Sequence, residues 1–148
     1  MKCLICAFGG IAETLKNERN MRIHFCFALY VILGGIVTKL SVPEWAAVLI
    51  CIGLVMGLEC VNTAIEGLCD TLCPRKSEGI RKTKDAAAGA VLFGAIISAI
   101  VGGIIFFQEE KLRLALDFFQ NNTVLTIILV ISLIPAGYFI RGRKRDKN

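Results

Sequence analysis

The sequence predicts an all-α membrane protein, with an N-terminal amphipathic helix on the membrane surface followed by a bundle of transmembrane helices. Three observations support this fold class. Apolar residues make up 55% of the 148 residues, and the mean hydropathy is +0.67. The apolar residues are concentrated in four runs, each close to or above the roughly 20 residues that a helix needs to span a bilayer. The number of basic residues alternates between the segments that separate these runs.

Residues 1–22 form the predicted surface helix. Leu4, Phe8, Ile11 and Leu15 recur at helical spacing and give this segment one apolar stripe, and its polar side chains lie mostly outside the stripe. A single apolar stripe without a continuous apolar run is typical of a helix that lies in the membrane interface.

Four membrane spans follow, at about residues 23–42, 45–68, 86–107 and 123–140. Pro43 suits the first turn of the second span, and Trp45 suits the membrane interface. The fourth span is only just long enough and contains Pro135. It belongs to a C-terminal extension, residues 108–148, that ends in a basic tail.

Basic residues predict the orientation of the spans. Lys and Arg number four before the first span, one in the next loop, five in the middle loop, two before the fourth span and five in the tail. By the positive-inside rule, both termini and the middle loop lie in the cytoplasm, and residues 109–122 lie outside. The net charge of +5 is then explained by cytoplasmic flanks and anionic headgroups. No nucleic-acid partner is expected, because that would require a basic groove with stacking aromatics on a soluble fold.

The second span carries a stripe of polar residues. Its members are Glu59, Asn62, Glu66 and Asp70, and their spacing places them within about 60° of one another on one helix face. A carboxylate inside a membrane is costly, so this stripe is a candidate functional site. The structural alternative is a polar ridge that hydrogen-bonds to neighbouring helices.

Two further clusters are expected at the same depth. One is residues 18–24, where the surface helix meets the first span, and the other is residues 81–85, just before the third span. Taken alone, the first could be a solvated helix cap and the second a basic loop that sets topology. Together they place carboxylates and cations beside the cytoplasmic headgroups.

This combination of groups suits phosphoryl transfer. Paired carboxylates can hold Mg²⁺ together with nucleotide phosphates, and basic side chains neutralise phosphate charge. A deeper carboxylate can act as a base toward a lipid hydroxyl. Neither a P-loop nor the protein-kinase motif set is present, so a soluble kinase fold is excluded. The residues alone predict a divalent-metal or cation site at the cytoplasmic membrane edge.

Two other classes of function compete with this one. A small transporter or cation-binding channel could use Glu59 and Glu66, but it would need polar groups in the outer halves of the spans, which hold almost none. A non-catalytic assembly protein could be held together by a ridge of small residues in the third span. That ridge consists of Ala86, Ala90, Gly94, Ser98 and Gly102.

The sequence closely resembles the bacterial diacylglycerol kinase family, which includes the undecaprenol kinases. The resemblance covers about residues 1–107 and rests on Gly10, Glu18-Arg-Asn-Met-Arg-Ile-His24, Glu59-Cys-Val-Asn-Thr-Ala-Ile-Glu66, Asp70 and Lys84-Asp-Ala-Ala-Ala-Gly-Ala-Val91. The stretch at residues 18–24 looks like the branch from Gram-positive bacteria, whose members tend to use undecaprenol. In residues 74–79 the sequence departs from a Glu-Tyr-His-like stretch of many relatives, so contacts to the nucleotide base are left unassigned.

The resemblance implies an integral-membrane homotrimer with a surface helix and three spans per subunit, to which this chain adds a fourth span. It also implies a lipid kinase of the inner membrane that uses ATP and Mg²⁺ to phosphorylate diacylglycerol or undecaprenol. Glu59 would be the catalytic base and Asn62 would orient the reacting groups. Metal would be bound by Glu18 and Glu66, and the nucleotide by these two residues with Lys84 and Asp85. Asp70 and Arg22 would support the site.

Overall fold

The computed structural model describes residues 2–72 and 77–142, and the regular structure of these residues is entirely α-helical. The helices are α1 (Lys2–Asn17), α2 (Arg19–Val37), α3 (Val42–Leu72), α4 (Glu78–Phe106), α5 (Glu109–Asn121) and α6 (Thr123–Arg141). Helices α2, α3, α4 and α6 are long and apolar enough to cross a membrane. The predicted fold class, an all-α membrane bundle with four candidate spans, is confirmed.

The break between α1 and α2 falls at Glu18, four residues before the boundary expected from hydropathy. Glu18 has an extended backbone (φ −97°, ψ 126°), and α2 begins at Arg19. Residues 19–22, which are polar except for Met21, therefore belong to the spanning helix, because backbone hydrogen bonding continues through them whatever their polarity. We call residues 16–22 the elbow.

The turn between α2 and α3 is closed at both helix ends. Lys39 adopts the left-handed conformation (φ 52°), and the Leu40 N–H donates to the Gly35 carbonyl over 3.0 Å. This pattern ends α2 as a Schellman motif. Glu44 then caps α3, because its Oε2 accepts hydrogen bonds from the Ser41 N–H (2.7 Å) and hydroxyl (2.8 Å).

Glycines permit close packing at two places in the bundle. A Cβ on Gly35 would lie 2.8 Å from the Trp45 ring, and a Cβ on Gly94 would lie 2.8 Å from Leu58. Gly94 therefore allows α4 to approach α3, its most extensive packing partner. Of the predicted small-residue ridge, Gly94 is the buried member, whereas Ala86 and Ala90 are exposed.

Polar contacts join the helices at both ends of the bundle. At the elbow end, Lys84 of α4 pairs with Asp70 of α3, and Arg22 of α2 contacts the end of α6. At the opposite end, the buried ammonium of Lys111 in α5 donates to Glu44 over 3.0 Å. The spans thus alternate in direction, with the elbow, the start of α4 and the end of α6 on one side.

Residues 109–122, expected as an outer segment, form α5. Its apolar side chains Leu112, Leu116 and Phe119 are exposed, as a segment at the membrane interface requires. Two parts of the sequence interpretation lie outside the described residues: residues 74–76 of the changed stretch at 74–79, and the basic tail at residues 143–148.

Candidate active site

The polar stripe of α3 passes from the protein interior to its surface. Glu59 is 2% exposed and Asn62 is 7% exposed, whereas Glu66 is half-buried and Asp70 is exposed. The Nδ2 of Asn62 donates to Oε1 of Glu66 over 3.0 Å, so these residues share one helix face as their spacing predicts. The deepest member of the stripe is an acid.

Two atoms of this stripe lack hydrogen-bond partners. Oε2 of Glu59 and Oδ1 of Asn62 are both buried, and neither contacts a donor within the described chain. Nearly all buried polar atoms in folded proteins are hydrogen-bonded. Two unsatisfied acceptors one turn apart make this part of the stripe the candidate for contact with a ligand.

The elbow brings a second acid to the stripe. The carboxylates of Glu18 and Glu66 both lie within electrostatic range of Glu59, and the side chain of Asn20 lies beside the Glu59 carboxyl. Glu18 reaches this position because it interrupts the helix between α1 and α2. No role was assigned to Asn20 from the sequence. Its position two residues after Glu18 is the signal that could have indicated one.

Helix α4 contributes a cation. Nζ of Lys84 lies 2.5 Å from Oδ1 of Asp70, and Glu66 is also within electrostatic range of this ammonium. Asp85, by contrast, pairs with Arg81 of its own helix over 3.1 Å, with both side chains largely exposed. The structure therefore brings Lys84 to the acidic stripe, and Asp85 contacts Arg81 instead.

An apolar cavity of about 560 Å³ lies beside the stripe, between α2, α3 and α4. Met56, one turn before Glu59, and His24 line one end of it, and Phe106 and Phe107 line the other. The cavity thus extends from the level of the buried acid toward the opposite end of the bundle. Its dimensions and lining suit a hydrocarbon chain.

The donor set fits a nucleotide-borne magnesium ion better than a resident metal. Within residues 2–72 and 77–142, no group of three or more His, Cys, Asp or Glu side chains is arranged to hold a metal. Mg²⁺ at nucleotide sites takes one or two carboxylates together with phosphate oxygens and water. Glu18 and Glu66 supply that number of carboxylates.

Four helices long and apolar enough to cross a membrane make this an integral-membrane protein, with the candidate site at one end of its helix bundle. A family model described as "Prokaryotic diacylglycerol kinase" matches residues 5–106, and the chain belongs to this family of lipid kinases. The matched residues contain most of α1, all of α2 to α4 and every predicted site residue, whereas α5 and α6 lie beyond them.

Named relatives agree with this family. An "Undecaprenol kinase" of Bacillus subtilis (strain 168) is 40% identical over 108 residues, which is 73% of this chain and 88% of the relative. A "Diacylglycerol kinase" of Synechocystis sp. is 36% identical over 100 residues, 67% of this chain and 57% of the relative. A "Diacylglycerol kinase" of Haemophilus influenzae is 34% identical over 105 residues, which is 66% of this chain and 84% of the relative. No solved structure gives a significant match.

The geometry of Glu59 predicts a conflict between stability and function. Glu59→Gln replaces a buried acid, whose charged form would repel Glu18 and Glu66, with a neutral amide, so it should stabilise the fold. We expect the unfolding temperature in detergent to rise by about 2–4 °C, corresponding to about 1 kcal/mol. Glu110→Gln, an exposed change at the start of α5, is the control and should shift it by less. A lower unfolding temperature for Glu59→Gln would contradict the proposed repulsion between Glu59 and the acids Glu18 and Glu66.

Proposed function

We propose that the protein transfers the γ-phosphoryl group of ATP to the hydroxyl of a membrane lipid alcohol. The lipid oxygen forms a bond to the γ-phosphorus, the bond from that phosphorus to the β–γ bridging oxygen breaks, and ADP leaves. The hydroxyl proton passes to the carboxylate of Glu59. The products are a lipid phosphate and ADP, and catalysis consists mainly of positioning and charge stabilisation.

The unpartnered, buried Oε2 of Glu59 is the observation that carries this proposal. It supplies a proton acceptor at the depth where a lipid hydroxyl meets the membrane edge. The unsatisfied Oδ1 of Asn62, one turn away, is placed to accept a hydrogen bond from the same substrate. Asn62 is oriented for this role because its Nδ2 is occupied by Glu66.

The nucleotide would be held where the stripe becomes exposed. Glu18 and Glu66 would bind the Mg²⁺ that accompanies the ATP phosphates, and this ion would neutralise charge on the transferring group. Lys84 would exchange Asp70 for a phosphate oxygen, since a partly exposed ion pair has little stability of its own. Asp85, paired with Arg81, would contact the nucleotide from the next position of α4.

Undecaprenol is the acceptor that we favour over diacylglycerol. The cavity between α2, α3 and α4 has an apolar lining along its length, which suits one long isoprenoid chain. The relative from Bacillus subtilis carries the name undecaprenol kinase, and its alignment with this chain, at 40% identity, covers 88% of that relative. The same chemistry would serve either alcohol, because both present a hydroxyl group and they differ only in their apolar tails.

We further propose a bacterial inner-membrane location with both termini in the cytoplasm, and assembly as a homotrimer. The basic residues flank the elbow and the start of α4, which lie on one side of the bundle. Exposed Ala86 and Ala90 leave α4 free for close approach by another helix. A transport function is disfavoured, because the cavity beyond Met56 is lined mainly by apolar side chains.

The role of Glu59 predicts a large loss of turnover. Purified protein in lipid micelles with Mg-ATP should transfer labelled phosphate to a lipid alcohol, and Glu59→Gln should lower kcat by about 100-fold or more. Glu66→Gln should mainly raise the KM for Mg-ATP, and Glu110→Gln should leave both constants unchanged. Normal turnover by Glu59→Gln, in protein that assembles like the wild type, would disprove the base assignment.

The acceptor preference predicts a difference in kcat/KM between the two lipids. Undecaprenol and diacylglycerol are presented in turn, at matched mole fraction in the same micelles, with Mg-ATP saturating. We expect undecaprenol to give the higher kcat/KM by about tenfold, the order expected when extra apolar contacts are made in the bound state. Equal values, or a preference for diacylglycerol, would show that the cavity does not select the long chain.

A further inference from the structure

We propose that the C-terminal extension is a positioning element for the kinase site, and that it acts through Arg22. Helices α5 and α6 lie beyond the residues matched by the family model, so the family provides no role for them. The end of α6 nevertheless contacts the elbow that carries Glu18. This inference rests on the proposed role of Glu18 in binding Mg-ATP.

Arg22 stabilises the ends of two helices at once. Its Nη1 donates to the Lys16 carbonyl in the last turn of α1 over 2.9 Å, and its Nε donates to the Ile140 carbonyl in the last turn of α6 over 3.4 Å. The terminal carbonyls of a helix carry partial negative charge, and a guanidinium offers several donors in a fixed planar arrangement. Arg22 is 8% exposed, so few of these contacts are shared with water.

The same residue closes the elbow on its own helix. The Arg22 backbone N–H donates to the Glu18 carbonyl over 3.3 Å, while the side chain reaches back to Lys16. Arg22 therefore makes hydrogen bonds both to the Glu18 carbonyl, through its backbone, and to the Lys16 carbonyl, through its side chain. Displacement of the guanidinium would free the Lys16 carbonyl, two residues before Glu18, and we expect this to change the position of Glu18 relative to Glu59.

Gly142 makes the contact between α6 and Arg22 possible. It follows the last residue of α6 with φ +63° and ψ 167°, a conformation that glycine adopts and other residues avoid. A Cβ at this position would lie 2.6 Å from Nη2 of Arg22. The backbone at the end of α6 thus lies directly against the guanidinium.

Helix α6 is also held against α2 along its length. The Tyr30 hydroxyl and the Ser132 hydroxyl are 2.9 Å apart, and the rings of Phe25 and Phe139 are 6.3 Å apart between centroids. At the far end, the buried pair of Lys111 and Glu44 fixes the start of α5. The extension is therefore anchored at three levels, and its end at Arg22 has a defined position.

The experiment compares two alanine substitutions in the full chain. Gly142→Ala should displace Arg22 and raise the KM for Mg-ATP about threefold or more, with little change in the KM for the lipid. Gly137→Ala lies in the same region of α6 but has open space around its Cβ, so it should leave both constants unchanged. The split between the two KM values distinguishes positioning of Glu18 from a general loss of structure.

Arg22→Lys provides an independent variant, because it keeps the charge but loses the planar set of donors. It should raise the same KM, and adding Gly142→Ala to it should raise that KM no further, since both changes break one contact. The inference is overturned if Gly142→Ala and Gly137→Ala have the same KM for Mg-ATP. It is also overturned if the double variant raises that KM by the product of the increases caused by Arg22→Lys and Gly142→Ala alone. Absence of lipid kinase activity in the wild-type protein would instead refute the proposed function, and normal turnover by Glu59→Gln would refute the role of Glu59.

Discussion

The structure is built around a buried acid that has an unpartnered oxygen inside a membrane bundle. Glu59 is 2% exposed, its Oε2 has no partner within the described chain, and two further carboxylates lie within electrostatic range. Such an arrangement opposes folding, because a buried polar group, charged or neutral, normally requires a hydrogen-bond partner. It persists because the bundle is held together elsewhere, by apolar packing of α3 on α4 and by polar contacts at both ends. The site is thus maintained by the scaffold rather than by its own contacts.

Among the described residues, two ion pairs join different helices, and they differ as expected if one serves the scaffold and the other the site. Lys111 and Glu44, at the end away from the site, have side chains 7% and 18% exposed, and breaking such a pair is strongly destabilising. Lys84 and Asp70, at the site, are 29% and 71% exposed, and a pair of this kind contributes little stability. The first pair fixes the bundle, and the second leaves its lysine available for the proposed contact with the nucleotide.

The sequence predicted the parts of this architecture that depend on periodicity. Four apolar runs predicted four candidate spans, and the spacing of Glu59, Asn62 and Glu66 predicted their common face. It did not predict the start of α2 at Arg19, because backbone hydrogen bonds continue through residues too polar for a hydropathy criterion. Contacts distant in sequence were also missed: Lys111 with Glu44, Arg22 with Ile140, and Asn20 beside Glu59. Each depends on how helices pack in three dimensions, which local patterns do not specify.

The central claim is that acids from the elbow and from α3 act on one ion. A double-mutant cycle of Glu18→Gln and Glu66→Gln tests it, with the Mg²⁺ concentration that gives half-maximal turnover at fixed ATP as the measured quantity. If both carboxylates bind the same ion, each single change raises this concentration and the double change raises it by less than the product of the two effects. Independent, multiplicative effects would place Glu18 and Glu66 at separate sites and contradict the account.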